Sequence, residues 1–201
     1  MSQLQAQTSS RSQVGTLVRE GLETTLLALA IFVGVNTFTA RFRIDGTSMD
    51  NTLQHGQYVI VNRISYKLKD PQRGELVVFV PTHTTAGTFW ERIFGLPGET
   101  DFIKRIIATP GDTVQLEYGK LRINGSVLYE PYLREAMRYH GDQTWVLGSD
   151  EYFVMGDNRN FSKDSRDRDI GPIGFKQLVG KVWAIYFPFR DLQIMQHHDY
   201  Q

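Results

Sequence analysis

The feature that most constrains this chain is an uncharged segment near its N-terminus, residues 24–40, which reads TTLLALAIFVGVNTFTA. Its polar residues lie toward the two ends, and residues 26–35 are wholly apolar. A segment of this length is at the short end of what crosses the bilayer core as a helix. Apolar side chains on every side are unusual for a helix packed on a soluble domain. We therefore predict a transmembrane anchor over residues 21–40.

A buried core helix and a removed signal peptide are the two alternatives to an anchor. The preceding basic region is weak for a signal peptide, and cleavage after Ala40 would put the bulky Phe38 three residues back, where a small residue is required. Residues 1–20 are predicted to form a polar tail, of which residues 1–12 should be disordered. Charge does not decide the orientation of the anchor, since arginines lie on both sides of it, at Arg11, Arg19, Arg41, Arg43 and Arg63.

Beyond residue 41 the hydrophobic pattern changes to short runs with a period of two, which indicates strands. β-branched and aromatic residues are frequent in four stretches: residues 57–66, residues 74–80, EYFVMG and KVWAIYFPF. We predict that residues 41–201 form one mainly β domain, with a smaller β-hairpin region at about 113–150. Within that region, the dipeptides Gly119-Lys120 and Asn124-Gly125 should form turns.

Residues 81–100 fit no strand and are predicted to be a loop inserted in the β domain. The loop carries an apolar patch that is costly to leave in water and should dock on the core or lie at a membrane surface: Phe89, Trp90, Ile93, Phe94 and Leu96.

Overall composition excludes several classes of function. The chain has 22 basic and 22 acidic residues, so no net positive field favours a nucleic-acid partner. It has no cysteine, which removes disulfides, thiolate nucleophiles and thiolate metal sites.

Ser48 stands out in the stretch GTSMDNTL, residues 46–53. A serine hydroxyl is a poor nucleophile until a base takes its proton. The histidines offer little, because four of them lie in predicted loops or in the C-terminal tail (His83, His140, His197 and His198) and His55 is only seven residues away. A Ser-His-Asp arrangement stays open, since such residues need only meet in space, but nothing in the sequence favours it.

Lys104 is the other candidate base. It lies in the apolar stretch DFIKRIIATPGD, where alternation along a strand places Phe102, Lys104 and Ile106 on one face. If that face is buried, loss of hydration lowers the lysine pKa from about 10.4 toward neutrality, and a neutral amine can accept a proton. The residues alone favour the opposite arrangement, with Lys104 in solvent and Ile103 inside.

A third segment, residues 156–174, reads GDNRNFSKDSRDRDIGPIG and has four acidic and four basic residues between positions 156 and 169. By composition it is a solvated charged loop between two strands. The alternative is an ordered polar turn, in which serine hydroxyls orient an amine and Asp/Arg pairs brace the backbone.

Together these segments resemble the type I signal peptidases, the membrane-bound serine proteases that remove signal peptides. After the anchor, four segments resemble sequence motifs of this family, in the same order: residues 46–53, 73–79, 101–112 and 156–174. The resemblance as a whole runs from about residue 14 to about residue 188. The stretch GDNRNFSKDSR is its most specific part.

The resemblance implies a Ser-Lys dyad in which Ser48 is the nucleophile and Lys104 the general base. It matches Ser162 to a serine that orients the lysine amine, and Asp164 and Arg166 to a bracing ion pair, with Asp157 in the same box. This resemblance, and not the spacing, replaces the solvent-facing interpretation of Lys104. The implied mechanism uses no metal or other cofactor.

Family members cut after a small residue, usually alanine, with another small residue two positions earlier. By alignment of the motifs, the walls of the small substrate pockets would be Phe42, Ile44, Met49, Leu53, Phe102 and Ile103. Ordinary core packing is the alternative role for each of these side chains.

Two positions depart from the family pattern. Asn51 stands where proline is usual, and since proline would fix φ of the turn after the nucleophile, the site is expected to be less rigid here. Gly46 stands where some members have a serine that stabilises the oxyanion. The oxyanion hole would then depend on backbone N–H groups, including that of Ser48.

The implied protein is a signal-peptidase-like complex β-fold behind one transmembrane helix. It would be a single-pass plasma-membrane endopeptidase with its catalytic domain outside the cytoplasm. Its partners would be preproteins that carry signal peptides, the lipid bilayer and a neighbouring secretion translocon. Two alternatives are a related Ser-Lys maturation protease with a dedicated substrate and an inactive membrane-anchored β scaffold. The intact set of site residues argues against the inactive scaffold.

Overall fold

The computed structural model describes residues 2–81, 101–138, 141–196 and 200. The chain divides into an N-terminal helical unit that ends at Thr37 and a second unit that begins at Phe38. The predicted loop patch at residues 89–96 lies outside the described residues, as do His83, His140, His197 and His198.

The helical unit is a single helix, α1 (Ser2–Phe38). Its stretch Thr16–Phe38 has 23 residues, and an 18-residue window within it has a mean hydropathy of 1.5. At about 1.5 Å per residue this stretch is about 35 Å long, enough for a bilayer core of about 30 Å. Its large apolar side chains are exposed, among them Leu26, Leu29 and Phe32, unlike those of a buried core helix. By length and composition this stretch can therefore cross a membrane.

The expectation that residues 1–12 are disordered is wrong for residues 2–12, which form the first turns of α1. Glutamine, leucine and alanine in this stretch are good helix formers, so the helix that begins here continues into the apolar span.

The second unit is mainly β, as predicted. Its strands are β1 (Thr39–Arg43), β2 (Tyr58–Asn62), β3 (Leu76–Phe79), β4 (Phe102–Ala108), β5 (Thr113–Glu117), β6 (Lys120–Ile123), β7 (Ser126–Val127), β8 (Gln143–Val146), β9 (Glu151–Met155), β10 (Ile173–Gly174), β11 (Leu178–Phe187) and β12 (Gln193–Ile194). The helix α2 (Ser65–Leu68) and three short 3₁₀ turns connect them, at Arg159–Phe161, Phe175–Gln177 and Phe189–Asp191.

These strands form two antiparallel sheets. The larger has eight strands in the order β1-β2-β11-β3-β4-β9-β10, with β12 paired to β11, and the smaller has the order β7-β6-β5-β8. The smaller sheet is the predicted β-hairpin region. Strand β4 lies between β3 and β9, so residues that leave the end of β9 emerge beside β4.

Two local predictions need correction. The strand expected over residues 57–66 ends at Asn62, because the Asn62 side-chain oxygen accepts hydrogen bonds from the N–H groups of Ile64 and Ser65 and turns the chain into α2. The first hairpin turn is centred one residue earlier than expected, on Tyr118 and Gly119, which have φ of 48° and 73°. The second hairpin turn is where it was predicted, at Asn124 and Gly125, with φ of 51° and 84°.

Among its described residues, the domain contains three apolar clusters. One lies among β1, β2, β3 and β11 and includes Phe42, Met49 and Leu53, a second lies under the smaller sheet, and a third includes Val77 and Ile106. Apolar residues therefore cover β4 on both of its faces, which determines the environment of Lys104.

Candidate active site

The segment that follows β1 forms a tight turn around Ser48, the serine turn (residues 46–53). Within it, the Asp50 N–H donates to the Thr47 carbonyl at 3.0 Å, and the Leu53 N–H donates to the Met49 carbonyl at 2.9 Å. The side chains of Met49 and Leu53 are 2% and 0% exposed and hold the turn to the core. Ser48 itself is only partly buried. The turn thus keeps the Ser48 hydroxyl accessible, while the buried side chains of Met49 and Leu53 fix the backbone of the turn.

Asn51 occupies an unusual backbone conformation in this turn, with φ of 100°. Proline is restricted to φ near −65°, so it cannot adopt this conformation. Asparagine is among the non-glycine residues that tolerate positive φ best. The departure from the family pattern at Asn51 therefore matches the backbone found here, and the expectation of a looser turn is not supported by this geometry.

Lys104 contacts Ser48 directly, with Nζ 2.8 Å from Oγ. The lysine is 4% exposed, and its Nζ also donates to the Ile103 carbonyl at 3.0 Å. Burial lowers the pKa of Lys104 to about 8, an effect that the negative charges of Asp164 and Asp157 partly oppose. A substantial fraction of the amine is therefore neutral near physiological pH and can accept a proton.

The interpretation of Lys104 as a solvent-facing side chain is wrong. All five residues from Lys104 to Ala108 are buried, so strand β4 has no solvent face there. Alternation along the strand cannot separate inside from outside when both faces are covered.

Asp157 pairs with Arg105, the residue after the lysine. Arg105 donates from Nε to one carboxylate oxygen at 2.9 Å and from Nη2 to the other at 2.6 Å, and its Nη1 donates to the Gly74 carbonyl at 2.8 Å. The Thr52 hydroxyl donates to the same carboxylate. These contacts tie β4, the serine turn and the segment after β9 together. Sequence reasoning missed Arg105, although an arginine inside an apolar strand indicates a buried ion pair.

The predicted ion pair between Asp164 and Arg166 is present, with Arg166 Nε 2.8 Å from the carboxylate. The Gly156 N–H also donates to Asp164, at 3.0 Å. Burial alone would raise the pKa of Asp164, but the hydrogen bonds and charge of Arg166 outweigh it and hold the pKa below its ordinary value. Asp164 is therefore ionised, and it fixes the backbone beside Ser48.

Ser162 does not make the predicted hydrogen bond to Lys104. Its Oγ is buried and lies near Asp164, where it helps to keep the pKa of that carboxyl low. It lies against Gly156, where an added Cβ would overlap both the Ser162 hydroxyl and the Ser48 carbonyl. Ser162 is thus placed beside the serine turn, and its orienting role stays a prediction.

A second buried arginine, Arg159, also escaped the sequence analysis. It donates two hydrogen bonds of 2.6 Å to the Glu130 carboxylate and one of 3.0 Å to the Gly156 carbonyl. Both side chains are almost fully buried. The pair fastens the segment after β9 to the segment after β7.

A cleft of about 600 Å³ opens over the Ser48–Lys104 pair. Its lining includes five of the six predicted pocket residues: Phe42, Ile44, Met49, Phe102 and Ile103. Leu53 is the exception, because it is fully buried in the core and does not reach the cleft. Sequence reasoning missed several lining residues: Arg43, Asp45, Asp101, Phe161 and Lys163. A larger pocket of about 780 Å³ contains neither Ser48 nor Lys104.

His55 is near the serine turn but does not contact Ser48. Its Nδ1 accepts a hydrogen bond from the Gly46 N–H at 3.2 Å and lies 3.2 Å from an Asp45 carboxylate oxygen. Among the described residues, Lys104 is therefore the basic group in contact with the serine hydroxyl. In the same part of the chain, no group of three or more His, Cys, Asp or Glu residues could hold a metal ion.

Comparison with known proteins identifies the family of this chain. Residues 18–187 match the family model described as signal peptidase, peptidase S26. A probable signal peptidase I-2 from Synechocystis sp. is 38% identical over 168 residues, which cover 83% of this chain and 72% of that protein. A signal peptidase I from Bacillus amyloliquefaciens is 33% identical over 179 residues, which cover 84% of this chain and 87% of that protein.

A crystal structure of a signal peptidase I from Enterococcus faecalis aligns with 56% of this chain and 97% of that chain, at a TM-score of 0.44 and 28% identity. The assignment rests on the family model, which matches most of the chain, and on the two sequence relatives. This chain belongs to the type I signal peptidases of peptidase family S26.

Proposed function

We propose that Ser48 and Lys104 are the nucleophile and the general base with which this signal peptidase I, a serine endopeptidase, removes N-terminal signal peptides from preproteins. The observation that carries the proposal is the distance of 2.8 Å between Lys104 Nζ and Ser48 Oγ in a buried setting. A neutral lysine amine has one lone pair, which at this distance can accept the hydroxyl proton.

In acylation, Ser48 Oγ attacks the carbonyl carbon of the scissile bond while its proton passes to Lys104 Nζ. The carbonyl oxygen becomes an oxyanion, which the Ser48 N–H can stabilise by a hydrogen bond. When the oxyanion collapses, the carbon–nitrogen bond breaks and Lys104 returns the proton to the leaving amine. The mature protein departs and the signal peptide remains on Ser48 as an ester.

In deacylation, a water molecule takes the place of the leaving amine. Lys104, neutral again, accepts a proton from this water as it attacks the ester carbonyl. The second tetrahedral intermediate breaks its bond to Ser48 Oγ, and the proton on Lys104 returns to that oxygen. The signal peptide leaves as a carboxylic acid, and the enzyme is restored.

The surrounding ion pairs position these two groups. Asp157, held by Arg105, also accepts from Thr52 in the serine turn. Asp164, held by Arg166, fixes Gly156 beside the Ser48 carbonyl. Both carboxylates have a dedicated cation, so Lys104 need not stay charged to neutralise them.

The apolar side chains that line the cleft beside Ser48 support cleavage after small uncharged residues. Phe42, Ile44 and Met49 are buried side chains that face it, with Ile103 on the lysine strand. Packed apolar walls next to the nucleophile leave room for a small side chain and exclude a large or charged one. We assign these residues to the substrate pocket on that ground.

Type I signal peptidases are anchored in the membrane, and α1 supplies a helix that can serve as the anchor. The predicted span of residues 21–40 must end at Phe38, because Thr39 and Ala40 already belong to strand β1. We assign residues 21–38 to a single transmembrane span and residues 39–201 to a catalytic domain outside the cytoplasm, near the translocon from which preproteins emerge. A protease added to intact spheroplasts should then digest the β domain, and protection of the domain would contradict this topology.

The experiment that tests the proposed function is cleavage of two unrelated preproteins by the full-length protein in detergent. Wild type should cut both at the signal-peptide junction, and Ser48→Ala should cut neither while keeping its folded fluorescence spectrum. Cleavage of one preprotein alone would indicate a maturation protease with a dedicated substrate. Turnover by Ser48→Ala would remove Ser48 from its role.

A further inference from the structure

Asn158 makes two contacts with the backbone of the serine turn. Its own N–H donates to the Ser48 carbonyl at 3.0 Å. Its side-chain Nδ2 donates to the Thr47 carbonyl, also at 3.0 Å. A carbonyl oxygen accepts only, so the amide must present its NH₂ group to Thr47. Two consecutive carbonyl groups of the turn are thus held by one residue.

The side-chain contact matters because of the peptide unit on which it acts. The Thr47 carbonyl and the Ser48 N–H belong to the same planar peptide, in which a trans arrangement points them in opposite directions. A donor that holds this carbonyl on one side therefore aims the N–H to the other side. Among the described residues the Ser48 N–H has no hydrogen-bond partner, and Thr47 and Ser48 both line the cleft.

A second effect is electronic. A hydrogen bond to the carbonyl polarises the amide, and chains of hydrogen bonds strengthen one another in this way. The Ser48 N–H then becomes a better donor to an oxyanion in the cleft. The hydrogen bond from Asn158 to Thr47 should contribute little to substrate binding. Its effect should appear when the oxygen of the scissile carbonyl acquires its negative charge.

We infer that Asn158 is a positioning residue for the oxyanion hole: its side chain orients and polarises the Thr47–Ser48 peptide whose N–H stabilises the tetrahedral intermediate. The inference rests on the proposed function of Ser48. Asn158 touches no reacting atom and acts through the peptide alone.

Two substitutions separate this role from simple packing. Asn158→Asp keeps the shape of the side chain, but its ionised carboxylate cannot donate and repels the Thr47 carbonyl. Asn158→Ala removes both the donor and the volume. Loss of packing would harm the alanine variant more, whereas loss of the donor would harm the aspartate variant more.

Asn160 provides a matched control two residues further along. Its Nδ2 donates to the Glu135 carboxylate and the Ala136 carbonyl, away from the serine turn. Asn160→Asp introduces the same charge change in the same segment. It should leave cleavage within about twofold of wild type.

The experiment compares full-length wild type and the three variants on one precursor peptide, with thermal unfolding as a check on folding. The expected order of kcat is wild type, then Asn158→Ala at about a tenth of that rate, then Asn158→Asp lower still, with KM unchanged. One lost hydrogen bond is worth roughly this factor, and it should stay below the hundredfold or greater loss that follows removal of an oxyanion donor itself.

A pair of inhibitors gives a second measurement. A peptide aldehyde forms a tetrahedral adduct on Ser48 with an oxyanion, while the reduced-amide isostere of the same peptide has no carbonyl oxygen. Asn158→Asp should weaken binding of the aldehyde by about the same factor as kcat and leave binding of the reduced amide unchanged. Equal losses for both inhibitors, or wild-type kcat in Asn158→Asp, would overturn the inference. A wild-type enzyme that fails to cut the precursor would instead overturn the proposed function on which the inference depends.

Discussion

Replacing Lys104 with methionine should stabilise the folded protein at neutral pH while it abolishes cleavage. Folding lowers the pKa of Lys104 from its ordinary 10.5 to about 8. The folded state therefore binds fewer protons than the unfolded state between these pH values, and stability rises as the pH rises through them. Below pH 8 the whole cost of burying the charge is present, and above about pH 10.5 it is gone. Methionine is unbranched and of similar length, and it carries no charge at any pH.

The size of the effect follows from the shift in pKa. At about 1.4 kcal/mol per pKa unit, the cost of keeping Lys104 charged and buried is about 3 kcal/mol at pH 7. By pH 10 most of this cost has disappeared, so the advantage of the methionine variant over wild type should shrink by about 2–3 kcal/mol from pH 7 to pH 10. Methionine also loses the contacts of Nζ with Ser48 and Ile103. That loss reduces the stability advantage of the methionine variant over wild type. The quantity to measure is therefore the change in this advantage with pH.

Urea unfolding of the full-length protein in mild detergent measures the difference. Tryptophan fluorescence reports on the β domain, because Trp145 packs against Phe153 with ring centroids 4.8 Å apart. Lys120→Met is the control, since Lys120 is exposed at the start of β6 and its loss removes one positive charge without exposing or filling a buried site. A stability difference between Lys104→Met and wild type that stays constant from pH 7 to pH 10 would refute the argument that burial holds this amine neutral.

Three further predictions concern activity and the serine turn. The rate of cleavage by wild type should rise with pH at an apparent pKa of about 8, because only neutral Lys104 accepts the proton, and at pH 7 it should be about a tenth of the maximal rate. Lys104→Arg should be inactive and His55→Ala active in the same assay. The opposite result would make a histidine the base. Gly156→Ala should lower kcat at least about tenfold, since its Cβ would overlap the Ser48 carbonyl; a wild-type rate in steady-state assays would contradict this overlap. Asn51→Pro should destabilise the protein by about 2 kcal/mol or more in urea unfolding, while Asn51→Gly should be tolerated, because φ is 100° there; a more stable proline variant would show that the turn adopts another backbone.

The sequence was most informative where a motif and a local pattern agreed. The β class, the anchor and the second hairpin turn at Asn124 and Gly125 all follow from short-range features, namely hydrophobic period, length and turn chemistry. The position of Ser48 beside Lys104 did not follow from any local feature. These residues lie 56 positions apart, and only the resemblance to a family joined them before the structure did.

The burial of Lys104 shows why local reasoning failed at the most important position. Alternation predicts which residues share a face, but it does not say whether one face or both are covered. That information comes from the arrangement of the sheet, in which β4 is an interior strand between β3 and β9. A lysine in an interior strand with two covered faces is desolvated whichever way it points.

The prediction from composition also failed for residues 156–169. Their many charged side chains had indicated a solvated loop. Several of their polar side chains are buried: Asp157, Arg159, Asp164 and Ser165. Two of their charges find partners far away in the sequence, since Asp157 pairs with Arg105 and Arg159 with Glu130. Part of the charge of the segment therefore takes part in ion pairs in the interior with residues distant in sequence, whereas Lys163, Arg168 and Asp169 are exposed.

These ion pairs explain how a buried lysine can be neutral next to two carboxylates. Asp157 and Asp164 both favour the charged form of Lys104, and unpaired they would hold its pKa high. Each is instead bound by an arginine, whose guanidinium stays charged at any working pH. The arginines thus neutralise the carboxylates, and the positive charge of Arg166 itself disfavours a second cation nearby. Burial then remains the largest influence on Lys104, and the amine is left free to take the proton of Ser48.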